Sequence, residues 1–187
     1  MNKKHSVSAE IFEWIEMFVL SACAVLLCFT FVLRPAKVDG ASMQNTLFHN
    51  EVLLISDIGF EPSRGDILVF QKINSSHPDP IVKRVIATEG ETVDIDFDTW
   101  TVTITDKNGE TFVLDESQYR KLATDQRVTS DLEYPVKVGE SQLFVMGDNR
   151  NHSLDSRSSA IGLVEKNEVI GKVLVRVLPF NRFGTVN

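Results

Sequence analysis

The run from Met17 to Leu33, MFVLSACAVLLCFTFVL, contains no charged residue, and it restricts the fold more than any other stretch of the chain. As an α-helix it spans about 25 Å, somewhat less than the roughly 30 Å hydrocarbon core of a bilayer. Extension back to Ile11 adds about 9 Å and takes in Glu13 and Glu16. These acids then stand in the first turns, at headgroup depth and near the positive end of the helix dipole. Trp14 suits the same interface. A retained single-pass anchor over residues 11–33 is therefore expected, preceded by a short tail at 1–10 and followed by a domain over 34–187. A cleavable secretory signal is the competing reading, since MNKKH resembles a charged leader start. Against it, the apolar run exceeds a usual leader core, and LRPAKVDG offers no clear small-x-small cleavage site. Lys3 and Lys4 on one side balance Arg34 and Lys37 on the other, so charge leaves the orientation open.

Both cysteines, Cys23 and Cys28, fall inside this run, five residues apart, where one helix points them in different directions. The rest of the chain has no cysteine, hence no disulfide framework and no cysteine-based zinc site. Without residues 1–33 it holds 17 basic and 23 acidic residues, a mildly acidic solvated domain with no basic footprint for nucleic acid.

From residue 50 onward the pattern is one of strands. EVLLISD, DILVFQK, IVKRVIATE, TVDIDF, WTVTIT, QLFVMGD and VIGKVLVRVLPF are rich in valine, isoleucine and aromatics, with turn residues between them. TWTVTIT followed by DKNGE predicts a hairpin with an Asn-Gly turn. DESQYRKLA, 115–123, is the one stretch outside the anchor expected to be helical, and NSSHPDP, 74–80, reads as a polar loop. The expected architecture is mainly β: a transmembrane helix followed by an antiparallel β-sheet domain, with residues of about 90–140 forming a small inserted lobe.

Three stretches hold candidate chemistry. In GASMQNTL, Gly40 and Ala41 leave room for a peptide backbone to approach Ser42, and neighbouring main-chain N–H groups are available to an oxyanion. Serine needs a base. His49 and His152 are open on spacing, because triads assemble in space; His5 precedes the anchor and His77 lies in the polar loop. Lys83 in IVKRVI is the other candidate. In strict alternation Lys83, Val85 and Ala87 share one face and Val82, Arg84 and Ile86 the other. Burial on an apolar face lowers a lysine pKa from about 10.4 towards neutrality. The third stretch, GDNRNHSLDSR at 147–157, packs Asp148, Arg150, Asp155 and Arg157 with Asn149, Ser153 and Ser156, a density suited to a pinned network. Its carboxylate spacing does not match a calcium loop, and no metal or other cofactor is expected.

Taken in order, GASMQNTL, RGDILVF (64–70), KRVIATEGE (83–91) and GDNRNHSLDSR, preceded by an anchor, resemble type I signal peptidase, the membrane-bound Ser/Lys endopeptidase family in its single-anchor, Gram-positive form. The resemblance runs from about residue 11 to the end. It implies Ser42 as nucleophile and Lys83 as general base, with Ser153 orienting the lysine amine. It further implies an Asp148–Arg84 ion pair, with Asp155 and Arg157 buttressing the same loop. Gly40 stands where some relatives supply an oxyanion-hole serine, so backbone N–H groups must do more of that work. Two positions depart from the family pattern: Asn45 and Glu89 replace expected prolines, which removes a fixed φ from each turn.

The implied activity is removal of signal peptides from secretory preproteins after small-x-small sites, by a membrane protein with a cytoplasmic N-terminus and an extracytoplasmic catalytic domain. Enzyme and substrate would share the lipid bilayer, which raises their encounter frequency. Ser42 would then follow the anchor closely because the bond to be cut lies near the membrane too. Two rivals stand beside it. A soluble-type Ser/Lys self-cleaving regulator would use the same dyad, but its intracellular role fits poorly with the membrane helix. The other is a catalytically silent, membrane-anchored β domain that binds preproteins or partner peptidases.

Overall fold

The computed structural model describes residues 7–72, 79–122 and 130–186. His5, His77, Lys3 and Lys4, most of the polar loop and Ala123 lie outside them. The chain divides into two units, residues 1–34 and 35–187.

The first unit is one helix, α1 (Val7–Phe31), with Glu10 in its first turn. Its stretch Glu10–Thr30 is long and apolar enough to cross a membrane, with mean hydropathy 2.0. Phe12, Trp14, Phe18 and Leu20 are exposed along it, an arrangement that water penalises and hydrocarbon does not. Ser21 and Thr30 satisfy their hydroxyls on the carbonyls of Phe18 and Leu26, one turn back. Cys23 and Cys28 are free and exposed.

The second unit is built on strands β1 (Arg34–Lys37), β2 (Val52–Ser56), β3 (Ile67–Phe70), β4 (Ile81–Thr88), β5 (Thr92–Asp96), β6 (Thr101–Thr105), β7 (Thr111–Val113), β8 (Val136–Lys137), β9 (Gln142–Met146), β10 (Val164–Glu165) and β11 (Val169–Leu178). Seven form one sheet in the order β1-β2-β11-β3-β4-β9-β10, and four form another in the order β7-β6-β5-β8. Since β4 and β9 are antiparallel neighbours, residues 89–141, which carry the whole four-stranded sheet, are inserted between two hydrogen-bonded strands. The fold is thus mainly β with an N-terminal apolar helix and an inserted sheet. β1 and the two-residue strands β8 and β10 lacked a readable apolar pattern; β1 contains Pro35 and only four residues.

The hairpin of β6 and β7 closes as its sequence predicts. Thr105 faces Thr111, the Asp106 carboxylate accepts the N–H groups of Asn108 and Glu110, and Gly109 takes the positive φ of +84° that the turn demands.

The expected helix at 115–123 is not present over its described residues. Arg120 N–H reaches the Glu116 carbonyl at 2.9 Å, one helical turn. Propagation stops there, because Lys121 N–H donates to the Asp148 carbonyl (2.8 Å) and Arg150 N–H to the Lys121 carbonyl (3.0 Å). Asp115 also caps the N–H of Ser117 in a local turn. Tertiary pairing outcompetes a helix too short to hold itself.

Strict alternation in β4 also fails. A register irregularity lies between Val85 and Ala87 against β9, and all residues from Lys83 to Ala87 are buried. Both faces of the strand are covered, as the three apolar clusters show. Ile86, Ala87, Phe144 and Met146 pack with Val93, Ile95, Val102 and Ile104 of the inserted sheet. Val85 packs with Leu68, Phe70, Leu143 and Val145. A third cluster joins Met43 and Leu47 to Leu53, Ile55, Ile67, Val69 and Val173.

Glu89, one of the missing prolines, works through its side chain instead. It accepts the Ser141 N–H at 3.0 Å and pairs with Lys166 at 3.4 Å, tying the turn after β4 to the turn before β9. The Ser141 N–H is the chief reason its carboxyl is held below the usual range.

Candidate active site

Ser42 sits in a run of turns between β1 and β2 whose anchors are apolar. Met43 and Leu47 are fully buried, each stabilising the turn by roughly 1.5–3 kcal/mol. Pinning the residue after Ser42 in the core leaves Ser42 itself half-buried at the surface. Gly40 is exposed at φ +90°, with open space where a Cβ would point, so the chain turns there at no steric cost.

Two carbonyls of this loop are held by the segment after β9. Asn149 N–H donates to Ser42 O at 2.9 Å, and Asn149 Nδ2 to Ala41 O at 3.0 Å. The approach is possible because residue 147 is glycine. A Cβ there would lie 2.5 Å from Ser42 O and 2.2 Å from Ser153 Oγ.

β4 delivers the lysine. Lys83 is 2% exposed, and its Nζ donates to Ser42 Oγ at 2.7 Å and to the Val82 carbonyl at 2.9 Å. Burial pulls its pKa from 10.5 down to about 8; Asp155 and Asp148 resist this shift and Arg157 assists it. At neutral pH roughly a tenth of such a group is neutral, and a neutral amine at that distance accepts a hydroxyl proton.

Around the pair lies a set of buried charges. The Arg84 guanidinium grips Asp148 by two parallel bonds of 2.9 Å, caps the Gly65 carbonyl and lies over the Tyr119 ring at 4.1 Å. Asp148 also accepts the Thr46 hydroxyl. Arg157 holds Asp155 the same way, both bonds at 2.8 Å. Burial alone would raise the Asp155 pKa, but the bonds and charge of Arg157, with Ser153 and the Gly147 N–H, hold it below the ordinary carboxylate range. Such bidentate pairs resist rotation and so make rigid walls.

The structure therefore brings Ser42, Lys83, Arg84, Asp148, Ser153, Asp155 and Arg157 together. Ser153 differs from its expected contact. Its hydroxyl donates to Asp155 Oδ2 at 2.6 Å, and the hydrogen bonds of Lys83 go to Ser42 and Val82. Of the histidines, His49 Nδ1 accepts the Gly40 N–H at 3.3 Å and lies 3.1 Å from Asp39, while His152 is exposed in the turn Arg150–His152. Neither hydrogen-bonds Ser42 among the described residues. Among those residues, also, no three His, Cys, Asp or Glu side chains converge as a metal site.

Sequence reasoning missed Glu116. It is 4% exposed and receives both Nη atoms of the fully buried Arg150, tying the inserted segment to the site. Charge balance carried a signal for it: Arg84, Arg150 and Arg157 make three guanidiniums against two carboxylates, and a buried guanidinium demands a partner. Nothing in the spacing indicated which acid would supply it. Thr46, whose role is purely hydrogen-bonding, left no such signal.

Comparison with known proteins gives a consistent result. A family described as signal peptidase, peptidase S26, matches residues 11–178. The signal peptidase I of Bacillus licheniformis is 35% identical over 184 residues, covering 96% of this chain and 93% of that protein. Signal peptidase I S of Bacillus subtilis strain 168 is 33% identical over 191 residues, covering 99% of this chain and all of that protein. Among solved structures, a signal peptidase I from Enterococcus faecalis V583 is 30% identical with a TM-score of 0.45, covering 60% of this chain and 97% of that one.

Proposed function

The chain belongs to the signal peptidase family of S26 peptidases, and on that premise we propose that it is a membrane-anchored serine endopeptidase that removes signal peptides from exported preproteins after small-x-small sites. Ser42 is the nucleophile and Lys83 the general base. The observation that carries this reading is the 2.7 Å bond between Ser42 Oγ and a buried Lys83 whose pKa is drawn down to about 8.

The chemistry follows from these positions. As Ser42 Oγ bonds to the scissile carbonyl carbon, its proton passes to neutral Lys83 Nζ. The carbonyl π pair moves onto oxygen, which needs main-chain donors. The Gly40 N–H is engaged by His49, while the Ser42 N–H has no hydrogen-bond partner among the described residues and supports the role of donor. Collapse breaks the C–N bond, and the Lys83 ammonium returns its proton to the departing amine. Water then adds to the acyl carbon as Lys83 takes its proton, and the ammonium gives that proton to Ser42 Oγ as the ester C–O bond breaks, which frees the acid and restores both groups. Burial, assisted by Arg157 and opposed by Asp155 and Asp148, leaves the lysine deprotonable, while the Arg84–Asp148 and Arg157–Asp155 pairs hold the walls around it. Ser153, its proton committed to Asp155, retains lone pairs for the amine.

In this reading α1 anchors the protein with its N-terminus in the cytoplasm and residues 34–187 outside, so that enzyme and preprotein meet in two dimensions. The test is to purify the full chain in detergent and incubate it with a secretory preprotein, beside Ser42→Ala and Lys83→Met, reading the product N-terminus by mass spectrometry. Cleavage by wild type alone after a small-x-small site is expected. Cleavage surviving Lys83→Met would remove the lysine from its role. An inactive, folded wild type would favour a binding domain.

A further inference from the structure

Thr46, four residues after Ser42, is held from two sides. Its hydroxyl donates to Asp148, whereas its carbonyl oxygen accepts Arg176 Nη1 at 3.1 Å and Arg182 Nη2 at 3.5 Å. These arginines come from β11 and from the turn Phe180–Arg182 that follows it. They are fixed to each other: Arg176 Nε donates to the Arg182 carbonyl at 2.7 Å, and Arg176 exchanges backbone bonds with Gly184 at 2.9 and 3.1 Å. Both guanidiniums also meet Glu51, at 3.3 and 2.6 Å. The Glu51 side chain is 3% exposed and accepts the Phe48 N–H at 3.0 Å as well. Arg182 lies over the Phe48 ring at 4.4 Å.

Every one of these contacts to the rest of the domain lands on residues 46–51, the returning limb of the loop that carries Ser42. Closing that loop does not require them. Val38 N–H to Glu51 O at 2.8 Å and Asn50 N–H to Val38 O at 2.9 Å already join its ends. Burying a carboxylate between two guanidiniums is a poor way to gain stability, because desolvation offsets most of the attraction. It is an effective way to hold one carbonyl at one place, since the planar guanidinium fork fixes direction as well as distance. Arg182 also lies beyond residue 178, where the family match ends.

We propose that Arg176 and Arg182, bridged by Glu51, are positioning residues that set how the loop offers Ser42 Oγ to Lys83, complementing from the C-terminal side the grip of Asp148 on the same threonine. This rests on the Ser42–Lys83 peptidase reading. Neither arginine bonds Ser42 or Lys83, so each acts through the loop. Release of the Thr46 carbonyl lets the nucleophile drift, and a displacement of about 1 Å costs up to about 100-fold in rate. The loss falls on kcat rather than KM, because alignment matters in the transition state more than in the bound ground state.

The experiment compares the full-length, detergent-purified wild type with Arg182→Ala, Arg176→Ala and Arg182→Lys on a preprotein substrate, measuring kcat, KM and thermal midpoint for each. The expected result is a fall in kcat of about tenfold for each alanine variant, with KM within about twofold and the protein folded at the assay temperature. Arg182→Lys should recover part of the loss, since it keeps a cation on Glu51 but not the fork to Thr46. Wild-type kcat in both alanine variants would overturn the inference, as would a rise in KM alone or a loss that merely tracks unfolding. An inactive wild type would overturn the peptidase reading and this inference with it, whereas an active wild type with unaffected variants overturns the inference alone.

Discussion

In β5 and β6 every second residue is buried: Val93 faces Ile104 and Ile95 faces Val102, with threonines and aspartates pointing away. β4, which leads into that sheet, buries five residues in succession, and two of them are Lys83 and Arg84. The inserted sheet obeys a local rule, one apolar face and one wet one. The seven-stranded sheet around β4 breaks it, because β4 is covered on both faces and must place charge in the interior. Beyond the Val82 and Gly65 carbonyls, the cost of that burial is offset by partners far along the chain, Asp148 for Arg84 and Ser42 for Lys83. A region that violates its own strand pattern and supplies distant compensation is where chemistry is to be sought.

Substitutions can break this contrast or sharpen it. The largest effect is expected from Lys83→Met, which should lower kcat by about 10³-fold or more in a preprotein cleavage assay. The same substitution should not destabilise the fold. The pKa of Lys83 is depressed in the folded state, from 10.5 to about 8, so folding is penalised wherever the unfolded chain would hold that proton. Stability from this group rises with pH between about 8 and 10.5 and is least below 8, where methionine removes the penalty. Denaturant melts of the variant at pH 7 should match or exceed wild type; a strong loss would mean that Lys83 is there for structure.

Arg84→Leu should come next, destabilising by about 3–5 kcal/mol in equilibrium unfolding, because it strands Asp148 as an unpaired buried charge. Replacing both partners by apolar residues should cost much less, and equal losses would argue against the pair. Third, kcat/KM should climb about tenfold per pH unit below the lysine pKa and level near pH 8, a profile that reports the free enzyme's base. An ascending limb centred near 6.5 would point to a histidine instead. The smallest effect is expected in the inserted sheet. Ile104→Val should cost about 0.5–1.5 kcal/mol of stability and leave kcat unchanged, and a marked fall in kcat would show that the insert does more than pack.

The contrast also explains what was legible beforehand. The longer strands from Val52 onward, the Asn-Gly hairpin and the apolar span announce themselves through periodicity, composition and turn chemistry, all properties of neighbours in the chain. The segment 115–122 misled because its helical propensity is local and weak, whereas the pairing of Lys121 with Asp148 and Arg150 is distant and stronger. Glu116 was hidden for the same reason. An acid in a polar stretch looks like any solvated carboxylate until a buried arginine from another segment is set against it.

By itself, then, the amino-acid sequence determined the apolar N-terminal segment, the mainly β character of the rest, and the four ordered motifs that mark the family. Each is a matter of residue type and short-range spacing, which a linear string records in full. Only the tertiary structure decided that Lys83 is desolvated against Ser42, that Ser153 gives its proton to Asp155, and that Arg150 and Thr46 are gripped by Glu116 and by arginines more than a hundred residues away. Desolvation and hydrogen-bond geometry depend on what closes over a group from every direction, and no stretch of sequence contains its own surroundings.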